Sequence, residues 1–265
     1  MPESLPVLPS FREPPIVESV LGVEFDTLES WSILAFGEFW QAIRESYPTY
    51  ELQPPIGAAP GGELTIEYGF PGKLPVRCWF KNTSDSQLLQ VQDDRFLYNW
   101  RNYVTEDKYP RYEEKLRPEF IKEWETFCSF LSTKSSEMPK IKSCQITYVN
   151  HLEQGKEWEK LDDIVEAFAF LNGSFQVGSL SSLNFQLAAD VPSENLKVQV
   201  SIAKALRNSD SKEIVQFSLT GIAVPESSDL DSILNCLDKI RRNLVVVFKN
   251  MTSEKMHQRW GLEDV

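Results

Sequence analysis

The sequence predicts an α+β protein of two similar halves, each running strand, helix, antiparallel meander, helix, so that antiparallel sheets are covered by helices. Three observations carry that expectation. Apolar residues recur at helical spacing over 112–131 and 230–248, each time after a run of short alternating segments. Those segments follow one another through turns with no helical pattern between them, which favours antiparallel pairing. The chain of 265 residues, 42% hydrophobic and 12% aromatic, is long and apolar enough to fold throughout, as one large domain or two smaller ones.

Taken in order, residues 1–15 are proline-rich and end in Pro14-Pro15, which fixes an extended lead-in. Ile16 to Phe25 alternates as a strand, with Gly22 at a bulge. Ser30 is the expected cap of a helix that carries Ile33, Leu34, Phe36, Phe39, Trp40 and Ile43 and is stopped by Tyr47-Pro48. From Tyr50 to Arg101 the pattern is that of an antiparallel meander, interrupted by a proline- and glycine-rich loop at 54–62. Its strands are expected at 63–68, 76–80, 87–92 and 95–101, the last two joined by a tight turn at Asp93-Asp94. The helix over 112–131 buries Leu116, Phe120, Trp124, Phe127, Cys128 and Leu131 on one stripe.

A Ser/Lys-rich connector, 133–142, then separates an N-terminal half (1–132) from a C-terminal half (143–265). The second half repeats the order: a strand at 143–152, a short apolar helix at 161–171, and strands at 174–177, 183–189, 196–205 and 214–224. Ser227 or Ser228 is the expected cap of the closing helix, whose first turn holds Asp229 and Asp231. A last short helix, 253–260, ends at Gly261. The halves share element order and not residue identity, so the pseudo-repeat rests on order alone.

Composition excludes several functions. With 27 basic against 39 acidic side chains the net charge is −12, which repels polyphosphate and disfavours general nucleic-acid binding. The one aromatic and basic window, 98–117, leaves single-strand binding through stacking on Tyr103, Tyr109 or Tyr112 as the weakest reading. No apolar run spans a bilayer, and the first residues lack a basic start and apolar centre, so a cytoplasmic protein without membrane partners is expected. Cys78, Cys128, Cys144 and Cys236 lie far apart without a C-x-x-C pair and read as buried reduced thiols.

No residue set amounts to catalytic machinery. A G-x-S-x-G elbow, a phosphate loop, H-E-x-x-H and a Cys/His cluster are all missing from the sequence, so no catalytic residue, metal or cofactor is assigned. Adjacent carboxylates such as Asp93-Asp94 and Asp162-Asp163 fit turns and helix starts. The richest stretch is Tyr98-Asn99-Trp100-Arg101 at the end of a strand. Alternation sends Tyr98 and Trp100 to one face and Asn99 and Arg101 to the other. The plain account is aromatic core backed by structural hydrogen bonds; the functional account is a pair of planar donors aimed at a carboxylate, phosphate or peptide. His151 at a strand end, and His257 with Trp260 on the final helix, complete the candidate binding set. The plain account of Trp260 is a plug on the core, and the functional account is a lid or partner-binding tail.

Several motifs occur together: Pro14-Pro-Ile-Val-Glu18 with Phe25, Phe39-Trp40 with Tyr47-Pro48, Tyr98-Asn-Trp-Arg101 with Tyr109-Pro-Arg-Tyr112, Trp124 with Phe127, Tyr148-Val-Asn-His151, and His257-x-x-Trp260-Gly261. As a set spanning nearly the whole chain they resemble a sporadically distributed prokaryotic family of uncharacterised proteins of about this length. The resemblance implies a bacterial or archaeal cytoplasmic protein and carries over no activity and no catalytic residue. Its patchy distribution is of the kind seen for mobile or defence-associated genes. The sequence therefore favours a non-enzymatic interaction or accessory subunit that binds a protein partner or itself. A small-ligand or nucleotide binder, or an enzyme, with a pocket around Arg101 is the alternative.

Overall fold

The computed structural model describes residues 8–29, 31–56, 76–103, 108–134, 138–171, 178–207 and 209–263. In chain order its elements are β1 (Ser10–Phe11), β2 (Ile16–Phe25), α1 (Ile33–Ile43), β3 (Thr49–Gln53), β4 (Arg77–Lys81), β5 (Gln87–Gln92), β6 (Arg95–Arg101), α2 (Arg117–Thr133), β7 (Ile141–Glu153), β8 (Asn184–Val191), β9 (Leu196–Leu206), β10 (Glu213–Ala223), α3 (Leu230–Met251), α4 (Glu254–Trp260) and β11 (Leu262–Glu263). A π turn, Tyr112–Leu116, leads into α2, and 3-10 turns occupy Leu161–Ala167, Ala169–Leu171 and Pro192–Glu194. Helices beside antiparallel sheets make this an α+β protein. The strands expected at 63–68 and 174–177 and the Ser30 cap lie outside the described residues.

The chain divides into two compact units. One comprises Leu21–Thr105 and Pro110–Ser143; the other comprises Met1–Val20, Glu106–Tyr109 and Cys144–Val265. Residues 1–20 thus group with the C-terminal half of the sequence, and the divisions fall inside β2 and β7.

In the first unit β3, β4, β5 and β6 pair antiparallel in that order. The register sets Phe80 opposite Leu89 and Leu89 opposite Tyr98, so one face carries a row of large apolar side chains. Phe39 of α1 packs 5.6 Å from Phe80, Phe120 and Phe127 of α2 pack on Phe96 of the same face, and all three are fully buried. Phe127 is the hub: its ring centroid lies 5.1 Å from Phe96, 5.5 Å from Phe39, 5.5 Å from Trp31 and 6.1 Å from Phe25. Gly22 is required where β2 passes this sheet, because a Cβ there would overlap Leu97 and sit 3.0 Å from the Phe96 carbonyl.

In the second unit the order is β7, β10, β9, β8, again antiparallel. Helix α3 lays Ile233, Leu234, Leu237, Ile240, Leu244 and Phe248 onto this sheet. Its N-cap is Asp229, whose carboxylate accepts from the Ser232 backbone N–H, in place of the expected serines. The helix expected over 161–171 is instead a pair of 3-10 turns broken at Phe168, which is extended (φ −117°, ψ 124°). Phe168 leaves the helical path because it bridges to Thr252 and packs 5.3 Å from Phe217.

Candidate functional site

Strand β6 is buried along its whole length. The alternation read from sequence holds: Tyr98 lies opposite Leu89 on the apolar face, and Asn99 lies opposite Leu88 on the other. That second face carries, beside Leu88 and Leu97, a cluster of polar side chains. Gln90 organises it, its Oε1 accepting from Arg77 Nη1 (2.6 Å) and Trp79 Nε1 (3.0 Å) and its Nε2 donating to Asn99 Oδ1 (2.9 Å). Arg101 donates through Nε to the Asp85 carbonyl at 3.0 Å and through Nη2 to the Asp85 carboxylate. The guanidinium carbons of Arg77 and Arg101 stand 5.4 Å and 5.6 Å from the Trp79 ring. Asn99 and Arg101, the donors expected to face a ligand, are therefore engaged by the protein's own groups. Tyr98 accepts from Gln87 Nε2 at 3.3 Å, and burial raises its phenol pKa, with Glu119 and Glu123 adding to the effect.

Arg77 is the exception. It has no carboxylate within ion-pair distance among the described residues, and its buried Nε lacks a hydrogen-bond partner. Burial first, and then the charge of Arg95, lower its pKa. Arg95 itself is paired with Asp94 (3.1 Å) and Glu24 (3.6 Å).

His151, His257 and Trp260 belong to the second unit. His151 is buried on β7 opposite Gln216, and its backbone N–H donates to the Pro15 carbonyl at 3.0 Å. Burial, with Arg207 adding, lowers its pKa to about 4, so the imidazole is neutral at pH 7. The unfolded chain takes up this proton near 6.5 and the folded chain only near 4, so this residue makes stability fall as pH drops through that window. We expect His151→Gln to flatten the decline in urea midpoint between pH 7 and pH 4.5 relative to the parent; an unchanged slope would contradict the assignment.

His257 serves a different neighbourhood. Its Nε2 lies 3.0 Å from the Lys249 carbonyl and 3.0 Å from Thr252 Oγ1, clasping the last turn of α3, and its ring is 5.7 Å from Phe11. Trp260 is buried between Phe248 (5.4 Å) and Phe11 (6.3 Å) and donates to Glu157 Oε1 at 3.4 Å. The structure brings His257 and Trp260 together around Phe11 and gives His151 separate partners.

Two of the thiols, Cys78 and Cys128, are held in the protonated form, whereas the hydrogen bond with Cys144 lowers the pKa of Cys236. Burial pushes Cys78 and Cys128 up to about 12, which keeps both protonated at neutral pH. Among the described residues no group of three or more His, Cys, Asp or Glu side chains is placed to hold a metal, and no helix is long and apolar enough to cross a membrane. Tyr112 is buried, so it offers no surface for base stacking.

The feature that sequence reasoning missed is the edge of the second unit. Among the described residues β8 pairs with β9 alone, leaving its other side unpaired. The Lys204 N–H donates to the Leu183 carbonyl at 3.0 Å, and this pair is in register with Asn184 opposite Ala203. Odd-numbered residues of β8 therefore bond inward to β9, and Asn184, Gln186, Ala188 and Asp190 turn their N–H and C=O groups outward. Side chains follow the same period. Phe185, Leu187 and Ala189 stand opposite Ile202, Val200 and Val198 on the core face, where Leu187 is 46% exposed and Phe170, 4.8 Å from Phe185, is 42% exposed. The strand carries one charge, Asp190, and no lysine or proline within it, so it lacks the usual devices that blunt an edge. The sequence signal was the uncharged run Phe185–Ala189; that it sits at an edge depends on strand order.

No protein-family model matches the chain, and no curated protein matches it.

Proposed function

We propose that this chain is a non-enzymatic interaction subunit whose working surface is the open edge of β8, where a strand from a protein partner adds to the sheet. The carrying observation is the row of four outward-facing backbone positions, Asn184, Gln186, Ala188 and Asp190, beside an exposed apolar strip at Leu187 and Phe170. The engagement of Asn99, Arg101, His257 and Trp260 in internal contacts supports a binding role over catalysis. The family resemblance supports a prokaryotic, cytoplasmic setting with a defence association, and the antiparallel strands followed by a long helix in each half support the pseudo-repeat, although among the described residues α1 has no α-helical counterpart after β7.

A photo-cross-linking residue in place of Ala188, introduced in the native host, tests this reading. Covalent capture of a protein through position 188, with the fold intact by circular dichroism, is the expected result; an intact protein that captures nothing there contradicts it.

One observation favours a second reading, in which the polar cluster on β4 to β6 holds a small anion. Arg77 is a half-buried guanidinium with no carboxylate partner among the described residues, beside a second arginine, an arrangement suited to a carboxylate or phosphate. Calorimetric titration with inorganic phosphate checks it: binding that is lost in Arg77→Met supports the site, and no heat at millimolar phosphate rejects it.

A further inference from the structure

Resting on the reading of β8 as a docking edge, we infer that its occupant is the β8 strand of a second copy of this chain, paired antiparallel about a two-fold axis at Leu187. The outward backbone groups fix the registers available. Because even-numbered residues carry the outward N–H and C=O groups, an even residue of one copy must meet an even residue of the other. Pairing all four outward positions then has one solution. Asn184 faces Asp190, Gln186 faces Ala188, Phe185 faces Ala189 and Leu187 faces Leu187, with about eight new backbone hydrogen bonds.

That solution is chemically self-complementary. The single carboxylate of β8, Asp190, lies opposite the Asn184 amide of the other copy, so no like charges meet. The apolar strip continues across the axis, with each Leu187 covering the other and each Phe185 facing a small Ala189 that leaves room for the ring. Sliding the axis to Ala188 places Asn184 against Pro192, which has no N–H to give. Moving it to Gln186 leaves Asp190 beyond the overlap of the two strands. The edge strand of the first unit behaves in the opposite way. Full overlap of β3 with its own copy sets Glu51 against Glu51, and β3 is only five residues long.

Light scattering on the purified full chain, combined with two cysteine variants, tests the inference. The parent is expected to run as a dimer at tens of micromolar, and the double variant Gln186→Lys/Ala188→Lys, which opposes introduced ammonium groups twice across the axis, to weaken dimerisation by about tenfold or more. Under oxidised glutathione Leu187→Cys is expected to form a covalent dimer through the facing pair, while Ala189→Cys, opposite Phe185, stays uncross-linked. A parent that is monomeric across the concentration range, or a Leu187→Cys variant that cross-links no better than Ala189→Cys, overturns the inference. If a different protein is then captured at position 188 in the host, the docking-edge reading survives and only the identity of the occupant fails. Absence of both dimer and capture removes both.

Discussion

Phe127→Ala is expected to destabilise the first unit by about 3–5 kcal/mol, measured as the shift in its urea unfolding transition. The side chain is fully buried and its ring packs against those of Phe25, Trp31, Phe39, Phe96 and Trp124, so truncation removes edge and tilted ring contacts to five aromatics at once. Sheet and helices meet at this ring, and β2, α1, β6 and α2 cannot all close on the same void without shifting backbone. Phe127→Leu, which keeps most of the volume, is expected to cost less than half as much. A loss below about 1 kcal/mol for the alanine variant would mean that the hub collapses around the cavity and that α2 is held elsewhere.

Glu157→Ala is expected to cost about 1–3 kcal/mol and to free the C-terminal helix for proteolysis. The Glu157 side chain is fully buried in the turn after β7, where Oε2 accepts from the Glu153 backbone N–H at 2.9 Å. Its other oxygen takes the Trp260 indole N–H at 3.4 Å and lies 3.5 Å from Arg259 Nε. Both α4 contacts converge on this carboxylate, so its removal leaves the buried Trp260 indole N–H without an acceptor and loosens Trp260 from the core. Glu157→Gln retains an acceptor and is expected to lose less. Trypsin cleavage after Arg259 or Lys255 should accelerate in the alanine variant; an unchanged cleavage rate would show that Phe11 and Phe248 alone hold the helix.

Where the sequence was legible, local periodicity decided the outcome. Strands β5 and β6 fall where alternation and the Asp93-Asp94 turn placed them, and the α3 stripe from Ile233 to Phe248 is buried as its spacing required. Local patterns failed where a distant partner decided. The apolar run 161–171 has helical composition, yet Phe168 turns away to meet Phe217 and Thr252, which lie far along the chain. Ser227 and Ser228 are good caps in isolation, but Asp229 is the residue with extended backbone, and Ser227 donates its hydroxyl to the Asp229 carboxylate.

The candidate site divides in the same way. The two faces of β6 could be read from alternation, whereas the pairing of Arg101 with Asp85 and of Asn99 with Gln90 depends on register between strands. Trp260 as a plug was legible from its place one turn after His257; its bond to Glu157, more than a hundred residues earlier, was not. The edge at β8 depends on strand order, which no window of sequence contains. A strand that looks ordinary in sequence becomes a candidate docking surface only because nothing among the described residues lies beyond it.

Hydrogen exchange at the backbone amides of Asn184, Gln186, Ala188 and Asp190 in the purified chain tests this account most directly, since these four point away from β9. Protection that rises with protein concentration, and vanishes in Gln186→Lys/Ala188→Lys while the inward amides of Phe185 and Leu187 stay protected, is the predicted result. Unprotected exchange at all four positions at every concentration would contradict it.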